Sequence, residues 1–243
     1  MKKNIINKNL KIVCMIPARI GSKRIKKKNL RLINNKPLIS YAIEAAKKIK
    51  YFDSIYLNSD SIKFKKIAND YSIKFYKRDK KLGSDVTTND QFTFDFFKNI
   101  ECDILIQILP TSPFITKDEI INFYKHMINN KLETLISVEE KQIACLYKSK
   151  PINFKKLVPN PPSQKMTPIK AYATVLMGWR KISFMQNIKK YKSAYHGGGS
   201  KTGYFTLKGL STIDIDNESD FQLVEKIMLA NKKKNITKKR YYK

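Results

Sequence analysis

The fold is decided by the stretch Ile12-Val13-Cys14-Met15-Ile16-Pro17-Ala18-Arg19-Ile20-Gly21-Ser22-Lys23-Arg24-Ile25-Lys26-Lys27-Lys28-Asn29-Leu30. Its first five residues are an apolar run that ends at Pro17, which is typical of a buried central strand. Backbone amides near Gly21 and Ser22 follow, together with four cationic side chains. The cations are Arg19, Lys23, Arg24 and Lys28. The stretch therefore predicts a strand and then a loop that binds a polyanion such as a triphosphate.

Helical and strand patterns alternate along the chain after this loop. Apolar residues recur with helical period over 38–49, and Pro37 suits the first position of that helix. Ser61, Thr88 and Thr116 are predicted to begin later helices. Further strands are predicted at 54–58, 73–76, 103–109, 134–138 and 204–207. This alternation predicts a doubly wound, mostly parallel α/β sheet with ligands at the carboxyl ends of its strands.

The length of 243 residues fits one α/β domain that spans 1–243. From about 140 to 200 the alternation stops, and several prolines break any long helix. We interpret 140–200 as an inserted lobe that carries one apolar strand at 171–178. Residues 231–243 are predicted to be a basic, disordered tail, because they are dense in lysine and have no apolar period.

The charge of the chain raises the alternative of a basic α/β protein that binds nucleic acid. Lysine and arginine number 49 against 20 acidic residues, which gives a net charge of +29. Such a protein would interleave aromatic and basic side chains on one exposed face, whereas the aromatic residues here fall mostly at core-like positions. The lysines are also spread over almost every segment, as a biased codon usage would produce. Nucleic acid is therefore not the favoured partner.

The cysteines and the apolar runs favour a cytoplasmic protein with no membrane contact. Cys14, Cys102 and Cys145 are odd in number and have no close pairing, so reduced thiols are expected. The apolar run that follows the basic N-terminus is too short for a signal peptide core or a membrane span.

A second group of functional side chains lies near the end of the chain. Asp214 and Asp216 are two residues apart, so a strand there would present both carboxylates on one face. Paired carboxylates with no histidine nearby suit Mg²⁺, which takes its other ligands from water and phosphate. Asn217, with Asp220 three residues later, is predicted to cap the last helix. The alternative is that these acids only cap that helix in solvent.

Four motifs resemble those of one known family in the same order along the chain. Ile-Pro-Ala-Arg-x-Gly-Ser-Lys-Arg-Ile-x-x-Lys-Asn-Leu, from Ile16 to Leu30, resembles the opening of the CMP-sialic acid synthetases, the acylneuraminate cytidylyltransferases. The segment 78–88 is similar to their nucleotide-receiving segment, and 109–114 is similar to their central turn. Asp-Ile-Asp-x-x-x-Asp-Phe, from Asp214, resembles their closing motif. The resemblance covers nearly the whole chain.

The resemblance implies a Rossmann-like nucleotidyltransferase fold with a small inserted dimerisation lobe, and therefore a homodimer. It implies transfer of a cytidylyl group from CTP to the anomeric hydroxyl of a nine-carbon, sialic-acid-like 2-keto sugar acid, with release of pyrophosphate. The metal that it implies is Mg²⁺, held by Asp214 and Asp216. A CMP-Kdo-type synthetase and a non-catalytic nucleotide-binding relative are the alternatives within this class.

The resemblance also assigns site residues by position. Those implied to bind the nucleotide are Ala18, Arg19, Gly21, Ser22, Lys23, Lys28, Asn29, Arg78, Ser84 and Thr88. Those implied to act in catalysis are Arg19, Lys23, Lys28, Asp214 and Asp216. Those implied to bind the sugar are Gln107, Leu109, Thr111, Ser112 and Tyr172.

The chain departs from the family pattern on the sugar side. Leu109 stands where family members commonly have Gln, and the stretch 171–174 lacks their Arg or Asn-Gly pattern. Gln107 lies on the same face of its strand as Leu109 and could replace the missing amide, although an ordinary polar strand residue explains it equally well. The acceptor therefore stays open among sialic, pseudaminic and legionaminic acids and Kdo. The long basic loop argues against Kdo.

Overall fold

The strand predicted at the start of the chain lies in the interior of a seven-stranded sheet, next to the middle strand. The structure is a computed structural model that describes residues 10–232. In it, β1 spans Ile12–Ala18 and is buried along its whole length. It pairs in parallel with β4 (Ser54–Ser59) on one side and with β6 (Ile104–Ile108) on the other. The strand continues through Pro17 to Ala18, so it ends two residues beyond the predicted run 12–16.

The sheet has the strand order β11-β7-β10-β6-β1-β4-β5. Its remaining strands are β5 (Lys74–Lys77), β7 (Thr134–Lys141), β10 (Ile169–Arg180) and β11 (Thr202–Leu207). Two short ribbons lie outside it and pair β2 (Leu32–Ile33) with β3 (Lys36–Pro37) and β8 (Leu146–Tyr147) with β9 (Lys150–Pro151). The helices are α1 (Leu38–Lys47), α2 (Lys63–Asp70), α3 (Asn89–Asn99), α4 (Lys117–Asn129), α5 (Lys181–Tyr191) and α6 (Glu218–Lys232).

Helices cover both faces of the sheet, which confirms the doubly wound prediction. Side chains of α1, α2 and α4 pack on one face in a core cluster that includes Ile43, Phe64 and Phe123. Side chains of α3 and α5 pack on the other face with Phe97 and Phe184, whose ring centroids are 5.0 Å apart. Because the central strands are covered on both faces, their side chains form continuous apolar runs.

The strand β10 is antiparallel to both of its neighbours, and this is the main departure from the predicted topology. It is longer than the predicted strand at 171–178, and it lies in the main sheet between β6 and β7. The other pairings in this sheet are parallel, as predicted. After β7 the chain leaves the sheet and returns in the opposite direction, so no crossover helix precedes β10. The predicted inserted lobe at 140–200 thus contains one strand of the main sheet.

The part of 140–200 that leaves the sheet is an arm formed by residues 142–168. Its hairpin consists of β8 and β9, and the Asn153 side chain closes the base of the arm. Asn153 donates to the backbone carbonyls of Ile143 and Thr167, each at 2.8 Å, and accepts from the Cys145 amide at 2.9 Å. The arm is therefore tied together by polar contacts rather than by an apolar core.

The helix starts follow the predicted caps at two of three positions. Thr88 and Thr116 each form a complete capping box, with Gln91 and Glu119 respectively. Ser61 does not cap a helix directly, because α2 begins two residues later and its N-cap residue is Ile62. Pro37 likewise precedes the first residue of α1, since it belongs to the β2–β3 ribbon.

The last helix includes the first two residues of the predicted tail. The helix α6 extends to Lys232, and most of the predicted disordered tail at 231–243 lies outside the described residues. None of the helices within 10–232 combines the length and the apolar composition needed to cross a membrane.

Gly178 in β10 gives a test of how tightly the sheet packs on α4. A Cβ atom at this position would lie 3.0 Å from Met127 Sδ and 3.1 Å from Phe123 Cε1. We expect Gly178→Ala to lower the free energy of unfolding in urea by about 1–3 kcal/mol, because the core would have to shift. Gly21→Ala is the matched control, since nothing lies within 4 Å of its Cβ position. Equal stability of the two variants would contradict this account of the packing.

Candidate active site

A cavity of about 280 Å³ lies at the carboxyl ends of β1 and β6. Most of the predicted nucleotide and catalytic residues meet in its wall. The predicted residues that line it are Ala18, Arg19, Ser22, Lys23, Lys28, Asn29, Arg78, Leu109, Thr111 and Asp216. This position agrees with the expected location of ligands in a doubly wound sheet.

The basic loop is held in place by one apolar side chain. Ile25 is 3% exposed and packs in a small core cluster with Ile33, Leu38, Ile215 and Phe221. This burial fixes the middle of the loop and leaves the cations on either side free to face the cavity. An isolated isoleucine in a run of lysine and arginine is the sequence signal for such an anchor.

Two carboxylates hold the cations of the loop from opposite sides. Asp85 lies 2.7 Å from Arg19 and 2.5 Å from Lys23, and the hydrogen bond from Lys23 lowers the pKa of its carboxyl. Asp216 lies 2.8 Å from Arg24 and 3.7 Å from Lys28. Exposed ion pairs contribute roughly 0–1 kcal/mol each. A triphosphate could therefore replace these carboxylates as the partner of the cations.

Lys28 connects the loop directly to the acidic segment. Its ammonium group donates a hydrogen bond to the Ile215 carbonyl and lies close to Asp216. Burial lowers the pKa of Lys28, although the charges of Asp214 and Asp216 oppose this effect. The side chain is thus a partly desolvated cation beside both carboxylates.

The acidic segment is extended, but it is not a strand of the sheet as predicted. Residues 213–216 follow a 3-10 helix at Gly209–Thr212 and form no ladder with a neighbouring strand. The segment is held instead by a hydrogen bond from the Ile215 amide to the Thr111 carbonyl at 2.9 Å. The predicted alternation still holds at Ile215, which is fully buried between the two aspartates.

Asp214 and Asp216 have different environments. Asp214 Oδ1 is buried and has no hydrogen-bond partner, whereas the Asp216 side chain is 45% exposed. Burial raises the pKa of Asp214; a hydrogen bond with the Thr111 side chain opposes this effect, and the charge of Asp216 adds to it. The capping of α6 is done by other residues, since Asn217 Oδ1 accepts from the Asp220 amide at 3.1 Å. The alternative that this aspartate pair only caps a helix is therefore not supported.

A hard cation fits this pair of aspartates. The orphaned Asp214 Oδ1 offers a buried negative oxygen, and Asp216 lies two residues away on the same extended segment. Within 10–232 no group of three or more His, Cys, Asp or Glu side chains could hold a metal by itself. A cation here would therefore depend on water and on phosphate oxygens for its other ligands.

Arg78 is a buried cation in the wall of the same cavity. It is 3% exposed, and its Nε and Nη1 atoms have no hydrogen-bond partner. Burial lowers the pKa of Arg78 to about 10. Its guanidinium carbon lies 4.8 Å from the ring centroid of Phe92. Arg78 is thus a desolvated cation with free donors in the cavity wall.

Six residues of this wall were not among the predicted site residues, and two of them, Asn89 and Phe92, lie outside the four recognised motifs. Both belong to the first turn of α3, and Asn89 Oδ1 accepts a hydrogen bond from Thr93 Oγ1 at 2.8 Å. Phe92 shares its apolar spacing with Phe96, so periodicity assigns both to the core. Asn89 could have been identified from its position in the sequence, since it directly follows the capping residue Thr88.

Several predicted site residues lie outside the cavity wall. Ser84 Oγ is 2.8 Å from Thr87 Oγ1, Thr88 caps α3, and Gly21 is exposed on the loop. Gln107 and Ser112 are buried, and their side-chain polar atoms have no partner. The structure therefore does not bring these residues into contact with the cavity.

Tyr172 is also outside the cavity wall, in an aromatic group near the ends of β7 and β11. Its hydroxyl lies 3.3 Å from His196 Nδ1, and its ring centroid is 6.3 Å from that of Tyr204. Burial raises the pKa of Tyr172 to about 12. The predicted role of Tyr172 in sugar binding stays a prediction.

Solved structures with the same fold define the class of this protein. The structure of CMP:2-keto-3-deoxy-manno-octonic acid synthetase in complex with CTP matches with a TM-score of 0.72 at 16% identity, over 91% of this chain and 99% of that chain. A cytidylyltransferase from Leptospira borgpetersenii matches with a TM-score of 0.62 at 12% identity, over 96% and 100% of the two chains. The chain has the Rossmann-like fold of the nucleotidyltransferases.

The chain belongs to the cytidylyltransferase family, whose family model matches residues 13–159. N-acylneuraminate cytidylyltransferase of Escherichia coli O18:K1:H7 is 28% identical over 93% of this chain and 54% of its own length. Post-translational flagellin modification protein B of Campylobacter coli is 30% identical over 94% of this chain and 98% of its own length.

A pseudaminic acid cytidylyltransferase of Campylobacter jejuni is 33% identical over 54% of this chain and 59% of its own length. The chain thus spans about half of the Escherichia coli relative and nearly all of the Campylobacter coli relative. The resemblance to the CMP-sialic acid synthetases is confirmed at the level of the family.

The Asp214 carboxylate has one buried oxygen, Oδ1, without a hydrogen-bond partner, and this predicts a conflict between stability and function. We expect Asp214→Asn to raise the free energy of unfolding by about 1 kcal/mol in buffer with EDTA, because a neutral amide lowers the cost of burying this side chain. Urea unfolding at neutral pH measures this change. Asp216→Asn is the control, since it removes an exposed ion pair with Arg24 and should leave stability unchanged or lower. A loss of stability in Asp214→Asn would contradict the prediction.

Proposed function

We propose that this protein transfers a cytidylyl group from CTP to a nine-carbon, sialic-acid-like 2-keto sugar acid. One observation carries the proposal. A single cavity, in a member of the cytidylyltransferase family, is lined by a basic loop, by the buried Arg78 and by Asp216, whose segment also carries Asp214 just outside the wall. These are the groups needed to bind a triphosphate, a base and a divalent cation.

The triphosphate end of the cavity is the basic loop. Arg19, Lys23 and Lys28 line the cavity and supply three positive charges near the carboxyl end of β1. In the proposed reaction, the anomeric hydroxyl oxygen attacks the α-phosphorus, and the bond from this phosphorus to the β-phosphate oxygen breaks. The hydroxyl loses its proton, and pyrophosphate leaves with the electron pair of the broken bond. The cations favour this step because they neutralise the charge that develops on the departing pyrophosphate.

The base end of the cavity supports cytosine as the nucleobase. Arg78 Nε and Nη1 are buried donors without a partner in the protein. Each of these atoms shares an edge of the guanidinium with Nη2, and we propose that one such edge meets the two adjacent acceptors of cytosine, O2 and N3. Uracil carries a hydrogen on N3, so the same edge would meet one acceptor and one donor. An unpaired buried donor is costly, and this favours CTP over UTP.

The aspartates are proposed to hold Mg²⁺ through the orphaned Asp214 Oδ1 and the carboxylate of Asp216. When bound, this ion would neutralise phosphate charge and help to orient the triphosphate. Lys28 lies beside both aspartates and limits their mutual repulsion. Arg24 keeps Asp216 near the loop through their 2.8 Å ion pair.

The acceptor is proposed from the relatives and from the cavity wall. Curated relatives are named for N-acylneuraminate and for pseudaminic acid, which are both nonulosonic acids. Leu109 and Thr111 lie in the wall next to Asp216, where an acceptor hydroxyl would approach the α-phosphate. Leu109 offers no hydrogen bond at this place, so we propose that the sugar is oriented mainly by Thr111 and by residues of the aromatic group around Tyr172.

The arm is proposed to pair two copies of the chain. Residues 142–168 carry large apolar side chains that are exposed in a single chain, among them Leu146 (59%), Tyr147 (65%) and Leu157 (98%). Such exposure on a projecting hairpin is typical of an interface.

A cytoplasmic location is proposed because its substrate CTP is made there. The cysteines Cys14, Cys102 and Cys145 are free, which suits a reducing compartment. Cell fractionation would test the location.

The function is tested by pyrophosphate release from CTP with Mg²⁺ and a panel of acids, followed by mass spectrometry of the product. The panel contains N-acetylneuraminic, pseudaminic and legionaminic acids and Kdo, and ATP, GTP and UTP serve as controls. We expect release with CTP and one nonulosonic acid, and loss of activity in EDTA. Release with Kdo alone, or no release with any acid, would contradict the proposal.

Matched loop variants make this assay specific to the site. Lys23→Ala removes a cation that lines the cavity, and we expect turnover to fall about 100-fold with the fold retained. Lys26→Ala removes an exposed lysine of the same loop that is outside the wall, and it should leave turnover unchanged. Equal activities of the two variants would exclude the proposed role of Lys23.

The homodimer is tested by sedimentation of the wild-type protein and of arm variants. We expect a dimer, and we expect Leu146→Glu with Leu157→Glu to give a monomer, because charges would be buried at the interface. Leu229→Glu is the control, since Leu229 is similarly exposed (51%) but lies on α6. A wild-type monomer at micromolar concentration would overturn this part of the proposal.

A further inference from the structure

Arg78 is buried without the partner that a buried arginine usually has. No ion pair to it exists among residues 10–232, and its Nε and Nη1 are unpaired. The nearest carboxylates whose charges act on it are Asp60 and Asp95. Both have other partners, because Asp60 Oδ1 accepts from the Ile20 amide at 3.1 Å and Asp95 Oδ2 accepts from Tyr76 Oη at 2.7 Å.

The favourable contact that remains for this guanidinium is with the ring of Phe92. The distance of 4.8 Å from the guanidinium carbon to the ring centroid is within the range of a cation–π interaction, which is strongest when the cation is desolvated. The Phe92 ring is itself fixed, because α3 begins with the Thr88 capping box and packs on the sheet through Phe96. The ring is therefore a rigid support rather than a mobile side chain.

A ring and a carboxylate would hold this arginine with different consequences for the ligand. A carboxylate accepts the N–H groups of a guanidinium in a fork geometry and so removes them from use. An aromatic ring attracts the cation without accepting in-plane N–H groups in this way. Phe92 therefore stabilises Arg78, a residue of the cavity wall, without pairing with its N–H groups.

We propose that Phe92 is a positioning residue for nucleobase selection, which holds the Arg78 guanidinium so that its free donors meet the base. This inference rests on the proposed use of CTP and adds to it a residue outside the motifs that carry the family resemblance. The effect of Phe92 is confined to the base end. The triphosphate end, at the basic loop, should not depend on it.

The test measures binding of CTP, UTP and inorganic tripolyphosphate by titration calorimetry with Mg²⁺. In Phe92→Leu we expect CTP affinity to fall about tenfold and the preference for CTP over UTP to fall with it. Tripolyphosphate affinity should stay within about twofold of wild type. Phe92→Tyr keeps the ring and should restore both the affinity and the preference.

Phe94→Leu is the matched control on the same helix. Phe94 also faces a cation, with Lys98 Nζ 5.7 Å from its ring centroid, but it is not part of the cavity wall. This variant should leave all three affinities unchanged. Urea unfolding shows that each compared protein is folded, and Phe92→Met replaces Phe92→Leu if the leucine variant does not fold.

A double-mutant comparison separates positioning from direct contact. In an Arg78→Met background, Phe92→Leu should cause no further loss of CTP affinity, because its effect acts through Arg78. An equal loss in both backgrounds would overturn the proposal in favour of direct contact between Phe92 and the base. A parallel loss of tripolyphosphate binding would also overturn it, since it would show a general collapse of the site.

The outcomes also separate this inference from the proposed function. Wild-type protein that binds no CTP would overturn the proposed function, and the inference with it. Wild-type protein that prefers CTP, with an unchanged preference in Phe92→Leu, would overturn the inference alone.

Discussion

The candidate site depends on a small apolar cluster that joins the two ends of the described chain. Ile25 from the basic loop and Ile215 from the acidic segment are buried together with Phe221 of α6. Without this contact the cations and the carboxylates would belong to separate segments. The hydrogen bond from Lys28 to the Ile215 carbonyl then sets how closely they approach. A hydrophobic contact thus fixes the position of the charged groups.

The electrostatics of the site follow from this arrangement. The loop cations are balanced by Asp85 on one side and Asp216 on the other, through ion pairs that are largely exposed. Two further charged groups carry buried atoms without a hydrogen-bond partner, namely Asp214 through Oδ1 and Arg78 through Nε and Nη1. Asp214 belongs to the pair proposed to bind a cation, and Arg78 is proposed to bind the base. The strongest unsatisfied charges therefore mark the ends of the proposed ligand.

Local signals in the sequence were enough to predict β1, the doubly wound layers and the capping boxes at Thr88 and Thr116. These features depend on neighbouring residues, through apolar runs and through side chains three positions apart. The antiparallel insertion of β10 could not be predicted, because its pairing with β6 and β7 depends on distant strands. The role of Phe92 was hidden for a related reason, since its periodicity is that of the core. The extended acidic segment was recognised, but its support by Thr111 rather than by a strand is a tertiary contact.

The insertion of β10 between β6 and β7 also has a consequence for biosynthesis. While the chain emerges from the ribosome, β1, β4, β5 and β6 can assemble early, but β6 keeps one open edge until Ile169–Arg180 has been made. The strand β7 is translated before β10 and has to wait without its inner neighbour. Such a nascent intermediate exposes unpaired strand edges, which are prone to aggregation. The yield of folded protein in a cell should therefore be sensitive to the rate of translation across the arm and β10.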